Sequence, residues 1–198
     1  MKKIDIIFSL GIGEAVALFF YFILVNAGVK IAPLLPALAI LLPLLALFGL
    51  FIAYLIGKKF LFVFQLAKFL LVGGLATVAD IGVLNILMEK YGIDKGLYYV
   101  VFKGFSFIVA TCFKYFVDKY WAFEQTEKKG MGKEFGQFFL VTIVGFVINV
   151  VIASVVVNMI GPKFGITEKL WGTIGALAAT VVVFTWNFIG YKFIVFKK

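Results

Sequence analysis

The sequence predicts an all-α integral membrane protein with six transmembrane helices. Three observations carry this. The 198 residues are 64% hydrophobic with a mean hydropathy of +1.11, whereas soluble domains are nearer half apolar. Runs of roughly 20 apolar residues recur, the length needed to cross about 30 Å of hydrocarbon as helix. Those runs are too long and continuous for the tilted, alternating strands of a membrane barrel.

The first helix is expected over residues 4–27. Its "MKK" start resembles a secretory leader, but the run is long, carries Glu14 and lacks a convincing small-residue cleavage site, so it reads as a retained span. The second covers 33–57, with Pro36 and Pro43 expected to bend its first half. The stretch "KKFLFVFQLAK" (58–68), charged at both ends and aromatic between, reads as an interfacial segment ahead of the third helix, 66–88. The fourth spans 97–117, the fifth 137–159 and the sixth 170–190, with 124–136 as a charged, glycine-bearing linker. Domain organisation follows as a two-helix extension over 1–60 and a four-helix domain over 61–198.

All of the basic charge is lysine, and the net charge is +9. On a soluble chain this would suggest nucleic acid; here it reads as membrane orientation and contact with anionic lipids, with no nucleic-acid partner. Lys2, Lys3, Lys58, Lys59, Lys68, Lys119, Lys128, Lys129, Lys133, Lys192, Lys197 and Lys198 flank one side. Lys30, Lys90, Lys95, Lys163 and Lys169 flank the other. The excess puts both termini in the cytoplasm of a plasma-membrane protein. One cysteine, Cys112, and no histidine exclude an internal disulfide, a histidine metal site and a histidine triad. The connecting segments leave no room for a soluble catalytic domain. No cofactor, metal or enzyme activity is expected.

Helices three to six read as two copies of a helix pair. "KFLLVGGLATVAD" (68–80) aligns with "QFFLVTIVGFVIN" (137–149), "GIDKGLYY" (92–99) with "GITEKLWG" (165–172), and "KYFVDKYWAF" (114–123) with "NFIGYKFIVF" (187–196). Two crossings return the chain to the same side, so the copies should share one orientation, about an axis along the membrane normal.

Ionisable groups inside spans are costly, so each requires a reason. Lys103 and Lys114 are eleven residues apart, about three turns, and fall on one helical face with Ala110 between them. Asp80 and Lys103 both lie roughly 9–12 Å below the outer surface, so they can pair. That pair is either a structural clamp or part of a phosphate path in which Lys103 and Lys114 bind in turn. Glu14 either pairs with Lys114 or sits in a watered groove and carries a proton. Gly73, Thr77 and Asp80 share a face, as do Thr142, Gly145 and Asn149. Lys119, Trp121 and Lys192 read as headgroup anchors at the interface, with Trp171 and Trp186 as further interface anchors. Cys112 reads as a packing residue.

A helix opening "FLLVGGLATVAD", a partner ending "KYWAF" and a weaker second copy resemble the GtrA-like family over residues 66–197. The resemblance implies a four-helix membrane unit that moves polyprenyl-phosphate-linked sugars, or assists the glycosyltransferases that use them, in cell-surface polysaccharide synthesis. It maps motif positions onto Gly73, Thr77 and Asp80, onto Lys119, Trp121 and Phe123, and onto Asn187, Lys192 and Phe196. Lys114, Asp118 and Ile194 depart from it. The favoured function is a flippase whose groove is lined by Asp80, Lys103, Lys114, Asn149 and Asn187. A membrane scaffold for a glycosyltransferase is the alternative, and a small-solute exporter using Glu14 ranks third. A bundle this small leaves room for a homodimer.

Overall fold

The structure, a computed structural model, describes residues 1–26, 35–92, 95–127, 130–163, 165 and 168–197. It is all-helical, with no strand among those residues: α1 Lys3–Asn26, α2 Leu35–Gly57, α3 Leu61–Tyr91, α4 Gly96–Val117, α5 Met131–Ser154 and α6 Glu168–Gly190. All six are long and apolar enough to cross a membrane. The chain is a multi-pass membrane protein. Large side chains along the spans, such as Phe48, Phe146 and Val181, are more than half exposed. In hydrocarbon that exposure carries no penalty, so apolar area does not drive helices together. Close backbone approach and internal polar contacts do that instead.

Two compact units result, Met1–Thr126 and Glu127–Lys198. In the first, α1 packs on α2, and both pack on α3, which pairs with α4. The extension is therefore built into the same core as the first helix pair: Ile12, Leu50, Ala53, Phe64, Val72 and Trp121 form one buried cluster. At Gly13 a Cβ would collide with the backbone of Pro43, so α1 and α2 can approach this closely only with glycine there. Helix α2 runs unbroken through Pro43, Pro36 occupies its first turn, and Pro33 lies outside the described residues.

Three expectations about boundaries change. Residues 61–68 do not precede the third helix; they are the first two turns of α3, a 31-residue helix. The linker is shorter than expected, because α5 begins at Met131, after Gly130 at φ 78°. Three helices also continue past their α-helical ends as π turns, at Asp118–Ala122, Val155–Ile160 and Tyr191–Val195. The first and third fall at aligned positions of the two sequence copies. Each closes with the same wide bond: the amide of Phe123 donates to the Asp118 carbonyl at 2.8 Å, and that of Phe196 to Tyr191 at 2.7 Å. The aligned rings repeat too. Phe69 lies 6.4 Å from Phe123, and Phe138 lies 6.1 Å from Phe196. All four are buried.

Candidate functional site

Within the spans of the first unit, Asp80 on α3 and Lys103 on α4 form an ion pair. The pairing expected from their depths is made. Ser106, one turn along α4, places its hydroxyl 2.6 Å from the other carboxylate oxygen and 3.0 Å from the Lys103 carbonyl. The group is unevenly buried: Ser106 is fully enclosed, Asp80 is 20% exposed, and the Lys103 side chain is 42% exposed. An ammonium so open at this depth is unusual, since an intramembrane charge is ordinarily turned inward. Chemically the cluster is a cation that can leave its carboxylate for another anion while Ser106 still satisfies that carboxylate.

Lys114 differs from Lys103. It pairs with Asp118, four residues on, and lies 4.2 Å over the ring of Phe69. Only 14% of its side chain is exposed, and Asp118 is fully enclosed. The expected Glu14–Lys114 pair is not formed. An aspartate one turn away on the same helix costs far less side-chain entropy to engage than a glutamate on α1. Among the described residues Glu14 makes no ion pair. One Asp118 oxygen has no hydrogen-bond partner there, and the pair sits where the π turn begins, a distortion that recurs at functional sites.

The anchors at the end of α4 also need correction. Lys119 and Trp121 are buried, at 0% and 4% exposure, because the widened π turn directs both inward. Lys119 lies near the rings of Tyr115 and Tyr120, at 5.8 and 5.9 Å. The indole N–H groups of all three tryptophans are spent internally: Trp121 on Asp5 at 3.0 Å, Trp171 on the Val156 carbonyl at 2.8 Å, and Trp186 on the Val141 carbonyl at 3.1 Å. A buried indole requires such a partner, and none of these groups is left to a lipid headgroup. Lys192 is half-buried, beside Phe188 and Phe193.

In the second unit, Asn187 presses against Gly145, where a Cβ would fall 2.6 Å from its amide oxygen. That oxygen is buried without a hydrogen-bond partner among the described residues. Thr142 bonds the Tyr191 hydroxyl at 2.7 Å. Asn149 is half-buried.

One cluster was missed. Lys68, 1% exposed, binds Asp5 at 2.8 Å and Glu124 at 3.0 Å, and Lys2 binds the other Glu124 oxygen at 2.7 Å. The Lys2 amide also caps Asp5 at 2.7 Å. Partial burial works to raise the Glu124 carboxyl, but its bonds to Lys2 and Lys68, with their charges, hold it below its ordinary value. The bond to Glu124 likewise lifts the Lys2 ammonium. Glu124 is the one non-glycine residue with positive φ, +51°, among those described. That conformation costs a non-glycine residue about 1–2 kcal/mol. The available signal was Asp5 and Glu124 flanking apolar runs at the same end as Lys2 and Lys68.

The model of the GtrA/DPMS transmembrane domain matches residues 68–196. The chain belongs to this family. The match starts at Lys68, includes Asp80, Lys103, Lys114 and both π turns at the aligned positions, and leaves α1 and α2 outside. No curated protein and no solved structure matches the chain. GtrA/DPMS domains are associated with flipping of polyprenyl-phosphate sugars, and are in general translocase or accessory units rather than catalysts.

Proposed function

We propose that this GtrA/DPMS-domain protein carries a polyprenyl-phosphate-linked sugar across the plasma membrane, with both of its termini in the cytoplasm, for the synthesis of cell-surface polysaccharide. The observation that supports this reading best is the half-exposed Lys103 inside a spanning helix, held by a carboxylate that keeps a second partner. The prenyl tail stays in lipid. The phosphate, arriving at Lys103, takes the ammonium from Asp80, and Asp80 keeps Ser106. The Lys114–Asp118 pair, about three turns away along α4, offers a second cation nearer the other surface. Such swaps replace one charge-assisted bond by another, so neither end of the path becomes a trap.

The test is translocation of a fluorescent polyprenyl-phosphate sugar in proteoliposomes. Wild-type protein should raise headgroup translocation above protein-free vesicles. Lys103→Met should lower it about 10- to 100-fold, the worth of one charge-assisted bond of about 1.5–3 kcal/mol. A wild-type rate equal to that of empty vesicles would exclude transport. The accessory reading would then stand if a co-expressed glycosyltransferase still required the chain.

A further inference from the structure

At the end of the first unit that carries the N terminus, a cavity of about 530 Å³ opens between the start of α1 and the π turn that ends α4. Such a volume lies within the roughly 300–1,000 Å³ of small-molecule sites. Its walls combine three aromatic rings, Phe8, Tyr120 and Trp121, with Lys2, Glu124 and Thr126. We propose that this cavity binds an uncharged sugar ring, and that α1 gives the chain a sugar site absent from the matched domain alone.

Four features carry the assignment. Tyr120, 43% exposed, supplies the open aromatic surface, and the half-buried Phe8 is held rigidly by stacking at 4.9 Å on the buried Trp121 behind it. The C–H face of a pyranose packs on such surfaces. Lys2 and Glu124 meet at the rim and are themselves open to solvent, at 64% and 41% side-chain exposure. Each has donor or acceptor capacity left for ring hydroxyls. The Tyr120 and Thr126 hydroxyls make no hydrogen bond among the described residues.

Charge selects the ligand class. Lys2 and Lys68 are balanced by Asp5 and Glu124, so these four groups leave no surplus positive charge to hold a phosphate. No group of acidic side chains able to hold a metal occurs among the described residues. The backbone adds a third line. Glu124 is held at its unfavourable φ by the Gln125 amide bond to the Lys119 carbonyl, 2.8 Å, and by Lys68 from beneath. This left-handed residue caps the end of the helix, and in doing so it leaves the carboxylate at the cavity rim. In the second copy the positions aligned with Trp121 and Glu124 are Ile194 and Lys197, so the same site is not repeated there.

The proposal rests on the transport reading only for the expectation that the sugar is a lipid headgroup. Full-length protein in nanodiscs should transfer saturation, in difference NMR, from aromatic protons to at least one of the methyl glycosides of glucose, mannose and galactose. Tyr120→Ala should weaken that binding about threefold to tenfold, the worth of one aromatic stack. Thr126→Trp, which fills the mouth from an exposed loop position, should abolish it. Inorganic phosphate should not compete. Absence of glycoside binding by wild-type protein, undiminished binding in both variants, or competition by phosphate would each overturn the site. Vesicle translocation separates the two conclusions. Translocation without glycoside binding removes the site and leaves transport; glycoside binding without translocation does the reverse.

Discussion

Removing Asp5 should destabilise the whole first unit, although Asp5 lies outside the matched domain. Its carboxylate is 1% exposed and takes three contacts: Lys68 at 2.8 Å, the Trp121 indole at 3.0 Å and the Lys2 amide at 2.7 Å. Stripping one partner from a buried ion pair costs about 3–5 kcal/mol. A hydrogen bond to a charged group is worth about 1.5–3 kcal/mol. These figures overlap, because one carboxylate serves both, and Glu124 remains 3.0 Å from Lys68 as a second counter-ion. Asp5→Ala should therefore cost about 3 kcal/mol, roughly 150-fold in the folding equilibrium. Reversible SDS titration in mixed micelles, followed by circular dichroism, measures this. Asp5→Leu with Lys68→Met should regain part of the loss, since no buried charge is left unmatched while the Trp121 indole and the Lys2 amide still lack their acceptor. An Asp5→Ala variant within about 0.5 kcal/mol of wild type, the range of ordinary surface substitutions, would refute the reasoning. So would a double variant less stable than the single.

Two further outcomes follow from the packing and the charges. Gly145→Ala should cost about 1–3 kcal/mol by crowding the Asn187 amide, with Asn187→Ala restoring stability in the double variant, whereas Gly13→Ala, which meets backbone at Pro43, should cost more and have no such rescue; the same titration reads all three. The Lys2–Glu124 contact should be pH-dependent at both edges. Because Glu124 is held low, its contribution is present above the ordinary carboxylate range and lost as pH falls through its depressed value. Because Lys2 is raised, its contribution is present below the ordinary lysine value and lost as pH rises through the raised one. Glu124→Gln should remove the acid limb in thermal melts across pH, and an unchanged acid limb would count against it.

The six spans were legible because crossing a bilayer fixes helix length, and each observed helix overlaps its expected range. The Asp80–Lys103 pair was legible from depth alone, since both residues are inside spans that are neighbours in sequence. Lys114 was half legible: Asp118 stands at helix-neighbour spacing, but depth alone pointed to Glu14. The Asp5–Lys68–Glu124 cluster, with Lys2, was hidden because its ion pairs join residues 56 to 122 apart in sequence, and a lysine at a span end reads as orientation whether or not it is buried. The π turns were hidden for another reason. One extra residue per turn leaves hydropathy unchanged while re-aiming every later side chain, which is how Lys119 and Trp121 moved from surface to interior.

The long sequence separation in that cluster also bears on how the chain is made. Helix α1 is synthesised before α2–α4, with an aspartate in its first turn and its lysine partner still to come. Trp121 and Glu124 emerge only after three more helices have been threaded. Until then Asp5 must remain near the membrane surface or find temporary company, and the first helix cannot reach its final seat. Closing the cluster is thus the last stitch of the α1–α4 unit during biogenesis. A ribosome stalled before residue 121 should leave α1 open to proteases and crosslinkers that the finished chain resists.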